Sequence, residues 1–294
     1  MSTDNRNGGH LNGLPFAKMT GSGNDFVFFD GRQVDISRVI SPEAIQAICN
    51  RHNGIGADGI VILEALKPPE LGMSALTSQA RILYFNSDGT PADLCGNATL
   101  CSTVMAVELG LATVSGMGLD TPSGRIASRV VDGLPEIELQ PVTSVQADMA
   151  IGIGDGELRI GFAVAGIPHV VVLCEDADAI DLETRGPTLR HHPATGAKGA
   201  NVNWVSRRSD DTWRYRTFER GVEGETQACG TGAVAAAILL TTWELAKSPI
   251  RIRSSSGRDL EVRLERSADA WRPTLRGEGR VIYRGTIGDL PIGK

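Results

Sequence analysis

The strongest constraint on the fold is that the chain carries one plan twice. Arg81-Ile82-Leu83-Tyr84-Phe85-Asn86-Ser87-Asp88-Gly89 leads to Cys95-Gly96-Asn97-Ala98, and Phe218-Glu219-Arg220-Gly221-Val222-Glu223-Gly224 leads to Cys229-Gly230-Thr231-Gly232. Each is a strand ending in Phe, a polar residue, a glycine-containing turn, Cys-Gly, and then a helix. Phe85 precedes Cys95 by ten positions and Phe218 precedes Cys229 by eleven, the extra one matching Glu223. Upstream, Gly23-Asn24-Asp25-Phe26-Val27 pairs with Gly166-Ile167-Pro168-His169-Val170, and Gly56-Ala57-Asp58-Gly59-Ile60-Val61 pairs with Gly199-Ala200-Asn201-Val202-Asn203-Trp204. Thirty-three positions separate the two glycines in both copies. Two copies of one supersecondary plan predict two similar halves, each delivering one cysteine.

A chain of 294 residues has room for two such domains. We divide it into a flexible tail at 1–13, an N-terminal half at 14–139 to which 282–294 return, and a C-terminal half at 140–281. In the first half, Phe16 to Phe29 predicts two strands around the Gly21-Ser22-Gly23 turn. Ser41-Pro42-Glu43 starts a helix, with Ser as cap and Pro in the first turn. Gly54-Ile55-Gly56-Ala57-Asp58-Gly59 matches G-x-G-x-x-G, but it follows a helix and opens a strand, the reverse of a dinucleotide fingerprint. Lys67-Pro68-Pro69-Glu70-Leu71-Gly72 predicts a surface loop. In the second half a helix is expected over about Leu182 to His191, and Ile250 to Tyr283 contains short antiparallel strands. Many short strands with one long helix per half give an α+β class: two pseudo-symmetric domains, each a curved, mostly antiparallel sheet around a central helix.

The net charge of −6, without a basic block, disfavours nucleic acid or an anionic membrane as partner. No apolar run reaches the ~18–20 residues of a membrane span. Five cysteines without a dense framework point to reduced thiols and a cytoplasmic protein. The histidines do not fall at zinc spacing, so no metal is expected.

Each Cys-Gly sits where a new helix leaves its first N–H groups without intrahelical acceptors. A small anion there gains from the helix dipole, and the same field makes the thiol a candidate thiolate. A buried, inert cysteine in a tight turn is the alternative. If both thiols face one cleft between the halves, they can remove a proton from one face of a carbon and replace it from the other, which is racemisation or epimerisation. The first-turn N–H groups near Gly96-Asn97 and Gly230-Thr231 would hold the substrate carboxylate. No lysine stands in a recognisable pyridoxal-phosphate setting, so no cofactor is expected. A pyridoxal-phosphate-independent racemase of another amino acid on the same scaffold is the alternative, and a thiol oxidoreductase using a Cys95–Cys229 disulfide is the competing class, although no C-x-x-C pair is present.

Lys18 to Phe26, Arg51 to Gly59, Phe85 to Gly89, Cys95-Gly96-Asn97, Pro168-His169, Asn201-Val202-Asn203, Glu219-Arg220-Gly221-Val222 and Ala228 to Gly232 resemble, in order, the signature blocks of diaminopimelate epimerases. The resemblance implies a cofactor-independent enzyme that interconverts LL- and meso-2,6-diaminopimelate, on the route to lysine and peptidoglycan. It implies Cys95 and Cys229 as paired acid and base, with Gly96, Asn97, Gly230 and Thr231 on the reacting carboxylate. Asn24, Asn86, Asn201, Glu219 and Arg220 would contact the substrate, the last four at its distal end. His169 and Glu219 would support proton transfer, and Tyr283 would stand at a homodimer contact. The chain departs from the family's pattern at Ala98-Thr99-Leu100, at the inserted Glu223, and at Ile167, where the family commonly has Asn.

Overall fold

In the computed structural model, which describes residues 11–66, 78–92 and 94–292, the chain forms two units, 1–136 with 278–294 and 137–277. The sequence reading placed these divisions at 139/140 and 281/282. In the first unit, β1 (Pro15–Gly21) and β2 (Asn24–Asp30) form a hairpin. Helix α1 (Pro42–Cys49) is capped by the Ser41 hydroxyl, which accepts the Ala44 N–H, and has Pro42 in its first turn. It carries the chain to β3 (Gly59–Ala65), parallel to β2. β4 (Ser78–Asn86) returns antiparallel and pairs with the short β5 (Pro91–Ala92). Helix α2 (Gly96–Glu108) leads to β6 (Met117–Thr121), parallel to β4, and to its hairpin partner β7 (Gly124–Val131). β8 (Leu134–Glu138) spans the division, and the strand Arg280–Thr286 pairs with β1.

The second unit repeats this order. β9 (Val145–Gln146) pairs with β10 (Glu157–Ala165), which forms a hairpin with β11 (Ile167–Cys174). Helix α3 (Leu182–Arg190) crosses to β12 (Asn201–Arg207), parallel to β11. β13 (Trp213–Glu219) returns antiparallel and pairs with β14 (Gly224–Thr226). Helix α4 (Gly230–Thr242) leads to β15 (Ile250–Arg253), parallel to β13, and then to β16 (Asp259–Arg266) and β17 (Trp271–Arg276). Arg280–Thr286 is thus β18.

Strand alternation explains how each sheet takes a helix on both faces. Val27, Phe29, Ile60 and Ile62 pack with Ile45 and Ile48 of α1, while Phe26, Phe28, Val61 and Leu63 pack with Ala98, Cys101 and Met105 of α2. In the second unit Val170, Val172, Val202 and Trp204 pack with Leu182 and Leu189 of α3. The intervening His169, Val171 and Asn203 therefore point to the α4 side. Helix α4 is buried from Val234 to Leu240 and contacts β10, β11, β12, β16 and β17. An apolar surface all round suits that enclosure. Helix α2 is as deeply enclosed despite its hydroxyls. Thr99, Ser102 and Thr103 donate to carbonyls four residues back, at 2.9, 2.8 and 2.9 Å, and so need no outside partner.

Two sequence expectations change. The tail was expected to reach residue 13; residues 1–10 lie outside the described residues, but Leu11 is buried against the α1 core and the Gly13 N–H donates to Ile287 O at 2.8 Å. Burying Leu11 outweighs the freedom of a chain end. The internal alignment at the third strand also slips by one. Phe26 pairs with Gly59 where His169 pairs with Asn201, so Val61, not Ile60, is the counterpart of Asn203. Glycine spacing aligned the turns, whereas the strand register aligns the faces. The loop expected at 67–72 lies outside the described residues.

Candidate active site

Each cysteine is the N-cap of the enclosed helix of its unit. Cys95 has φ −132° and ψ 115°, and Cys229 has φ −127° and ψ 110°. Neither side chain caps its own helix, so each sulfur is directed elsewhere. None of the five cysteines is bridged, and Cys95 is half-buried while Cys229 is buried. Burial pushes the Cys49 and Cys174 thiols up to about 12 and pushes Cys101 higher still, so these three stay protonated and inert.

In the first unit, Asn97 in the first turn of α2 donates through Nδ2 to Asn24 Oδ1 at 2.6 Å. Asn24 in turn donates to Asp58 Oδ2 at 2.9 Å, and the Asp25 N–H donates to the same oxygen at 3.2 Å. Arg51 bridges Asp25 and Asp58 at 2.8 and 2.7 Å, and Lys18 reaches Asp25 at 2.6 Å and also donates to the Gly56 carbonyl. Burial opposes ionisation of Asp25, but the Arg51 and Lys18 bonds outweigh it and hold the carboxyl below its ordinary value. Gly21 lets this turn approach α2, since a Cβ there would lie 2.6 Å from Asn97 O. Asn86 closes the turn after β4, donating to Thr90 Oγ1 at 3.0 Å. Ile82, Tyr84, Leu94, Ala98, Thr121 and Pro122 line a small hollow beside Cys95.

In the second unit, Asn201 Nδ2 donates to the Cys229 sulfur at 3.7 Å, and the Thr231 hydroxyl oxygen lies 3.6 Å from it, either group being able to donate. His169 is fully buried, with Nε2 3.1 Å from Thr231 Oγ1 and Nδ1 3.3 Å from Asn203 Nδ2. Gly232 is required here, because a Cβ would lie 2.2 Å from the Tyr215 hydroxyl and 2.4 Å from Asn203 Oδ1. The Arg220 N–H donates to Asn201 Oδ1 at 3.0 Å, and Glu219 accepts from the Thr226 hydroxyl. Cys229, His169, Asn201, Glu219, Arg220, Gly230 and Thr231 thus lie within one unit, with Cys95, Asn24, Asn86, Gly96 and Asn97 in the other. Ile167 opens β11 two residues before His169. Tyr283 lies on β18, half exposed, its ring 5.9 Å from that of Phe16.

Glu223 explains the longer second turn. Its backbone adopts φ +54°, and its carboxylate accepts the Gly221 N–H at 3.0 Å and Arg190 Nη2 at 2.9 Å. Arg190 is buried and also donates to Lys198 O at 2.9 Å, so Glu223 clasps the Arg220 turn to the segment that enters β12. Sequence reasoning missed this clasp, the Lys18-Asp25-Arg51-Asp58 frame, and Asn203, Tyr215 and Thr217. The visible signal for Asn203 was an amide alternating with apolar residues in a buried strand.

Among the described residues no group of three His, Cys, Asp or Glu is placed to hold a metal, and no helix is long and apolar enough to cross a membrane. The α+β fold and a cysteine at the mouth of each enclosed helix, together with the matches to a family profile and to relatives, place the chain among isomerases of the epimerase and racemase class. A hydroxyproline epimerase from Agrobacterium vitis shares the fold at a TM-score of 0.67 with 18% identity, covering 95% of this chain and 93% of that one. A PhzF-family phenazine biosynthesis protein of Bacillus anthracis also gives 0.67, at 13% identity over 92% and 98%. The profile described as diaminopimelate epimerase matches residues 16–141 and 162–272. The chain is 59% identical over 286 residues to a diaminopimelate epimerase of Gemmatimonas aurantiaca, covering 94% of this chain and all of the relative. It is 34% identical to that of Aquifex aeolicus, covering 94% and 98%. The chain belongs to the diaminopimelate epimerase family.

Burial, and then the nearby Arg220 charge, lower the His169 pKa from 6.5 to about 3. The unfolded chain takes up this proton near 6.5, so it binds more protons than the folded chain between those values. The resulting contribution to stability is complete above that window and is lost as pH falls through it. Urea midpoints from pH 7 to pH 4 should therefore fall less in His169→Gln than in the parent, and an equal fall would refute a buried neutral imidazole. Loosening the Arg220 turn by Glu223→Ala should raise KM about two- to fivefold with little change in kcat, the scale of an ion pair whose acid is half exposed. Steady-state kinetics decide this, a lowered kcat at unchanged KM being the contrary result.

Proposed function

We propose that the chain interconverts LL- and meso-2,6-diaminopimelate by a cofactor-independent two-base reaction, with Cys95 and Cys229 as alternating acid and base. The observation that carries this reading is the repeated placement of a cysteine at the N-cap of an enclosed helix, once in each unit. Family membership supports the substrate. One thiolate takes the α-proton, forming S–H and leaving the electron pair on carbon. The other thiol delivers its proton to the opposite face and becomes the thiolate. First-turn N–H groups at Gly96-Asn97 and Gly230-Thr231 hold the α-carboxylate and stabilise the charge that develops there.

Asn24 supports the same end of the substrate through Asn97. Asn86, Asn201, Glu219 and Arg220 serve the distal amino-acid end, and His169 with Glu219 assists proton transfer. Ile167 removes one amide partner at that end, a loss of ~1–3 kcal/mol in recognition that the four remaining residues absorb. A reaction run by two thiols needs a reducing compartment, and the cytoplasm is the location this reading assigns.

The two-base reading predicts that in D2O early product carries deuterium while remaining substrate stays protonated, and that Cys95→Ala and Cys229→Ala each abolish turnover. Mass spectrometry of resolved stereoisomers checks it, and equal early labelling of substrate and product would indicate a single exchanging base. We also assign a homodimer contact to Tyr283, which with Ile282 leaves apolar surface half exposed on β18. Tyr283→Ala should shift sedimentation from dimer towards monomer; a parent protein that sediments as a monomer would sink the assignment.

A further inference from the structure

The two thiols are served unequally, and strand register shows where the difference lies. Phe26 pairs with Gly59 in β2 and β3 as His169 pairs with Asn201 in β11 and β12. Counting along the same strands, Val61 pairs with Tyr84 as Asn203 pairs with Thr217, and Leu63 pairs with Ile82 as Val205 pairs with Tyr215. The places of His169, Asn203, Tyr215 and Thr217 are therefore held in the first unit by Phe26, Val61, Ile82 and Tyr84. Three of these are hydrocarbon and the fourth is a phenol; they pack beside α2, with the Phe26 and Tyr84 rings edge to face at 5.8 Å. Behind Cys229 the same framework is filled with polar groups that the fold alone does not require.

The Tyr215 hydroxyl can donate to Asn203 Oδ1 or to Cys229 O, at 2.9 and 3.2 Å, but the orientation of the Asn203 amide is fixed. Asn203 Nδ2 lies 2.9 Å from Val170 O, a carbonyl that only accepts, so the amide cannot be turned round. Its Oδ1 meanwhile faces the Thr217 hydroxyl at 3.0 Å and the Tyr215 hydroxyl at 2.9 Å, both able to donate. The second Nδ2 hydrogen is left for His169 Nδ1 at 3.3 Å, which must then accept. The imidazole proton accordingly sits on Nε2 and points at Thr231 Oγ1, 3.1 Å away. Having accepted that bond, the Thr231 hydroxyl has its own hydrogen available for the Cys229 sulfur at 3.6 Å.

We propose that Asn203 is a positioning residue that holds His169 as the Nε2–H tautomer and thereby aims the Thr231 hydroxyl proton at the Cys229 sulfur. The proposal rests on Cys229 being one of the two reacting thiols. No proton leaves the network: His169 and Thr231 stay neutral and orient one hydrogen bond that a thiolate accepts and a thiol does not need. In the first unit the places of His169 and Asn203 are held by Phe26 and Val61, so this pair is not repeated beside Cys95.

The test is 15N NMR of the full-length protein labelled at histidine, with the His169 signals assigned by their loss in His169→Gln. The parent should show a protonated Nε2 and a bare Nδ1. In Asn203→Asp an oxygen replaces Nδ2, so the proton should move to Nδ1. Thr231 must then turn its hydrogen to the ring, and kcat on diaminopimelate should fall about 10- to 100-fold, the worth of one hydrogen bond to a charged group. KM should stay within about twofold. An Nδ1–H ring in the parent overturns the proposal, as does Asn203→Asp that keeps Nε2–H and parental turnover. Should Asn203→Asp fail to fold, the parent spectrum still decides. A parent enzyme inactive on diaminopimelate would refute the reaction proposed above, while the spectrum reports on the tautomer independently.

Discussion

Enclosure of an entire helix is the constraint on which each unit depends. Helices α2 and α4 are wrapped by strands along most of their length, so neither has a solvated face on which to place function. What remains is the helix mouth, where first-turn N–H groups lack intrahelical acceptors. With cysteine at the N-cap in place of Ser or Asp, no side-chain cap bond is made to those groups, and the sulfur is set beside them. The position of the proposed site is thus a consequence of how the helix is buried.

The surrounding polar groups keep that mouth in place, and the two units do it differently. In the first, Asn97 and Asn24 are tied to an ionic frame of Asp58, Asp25, Arg51 and Lys18, whose charges offset one another's burial. In the second, the support is neutral: Asn203, Tyr215, Thr217, His169 and Thr231, all hydrogen-bonded. A neutral network is the cheaper choice at such depth, because an ion without a close partner is costly to desolvate there. The burial that holds the His169 ring uncharged likewise keeps the Tyr215 phenol protonated, since its pKa is pushed up.

Duplication and divergence can be followed along single strands. Alternating Phe26, Val61 and Ile82 in one unit, and His169, Asn203 and Tyr215 in the other, occupy equivalent inward positions. Hydrocarbon there gives a packed core, and hydrogen-bonding groups give an oriented imidazole on the same scaffold. Glu223 shows how one added residue is absorbed: it takes a left-handed backbone and uses its carboxylate to tie the longer turn to Arg190.

By itself the sequence determined the repeat, the element order, the α+β class, both cysteine helix mouths and the family. These depend on local signals, namely hydrophobic period, turn residues, caps and motif spacing, which survive without knowledge of long-range contacts. It also excluded the G-x-G-x-x-G at Gly54, because that motif's context was local too. Only the tertiary structure decided that Leu11 belongs to the core, that Val61 and not Ile60 matches Asn203, that Glu223 reaches Arg190, and that Asn203, Tyr215 and Thr217 stand behind His169. Each of these is set by strand register or by a contact between distant parts of the chain, and glycine spacing cannot see a one-residue slip that moves a side chain from one face of a sheet to the other.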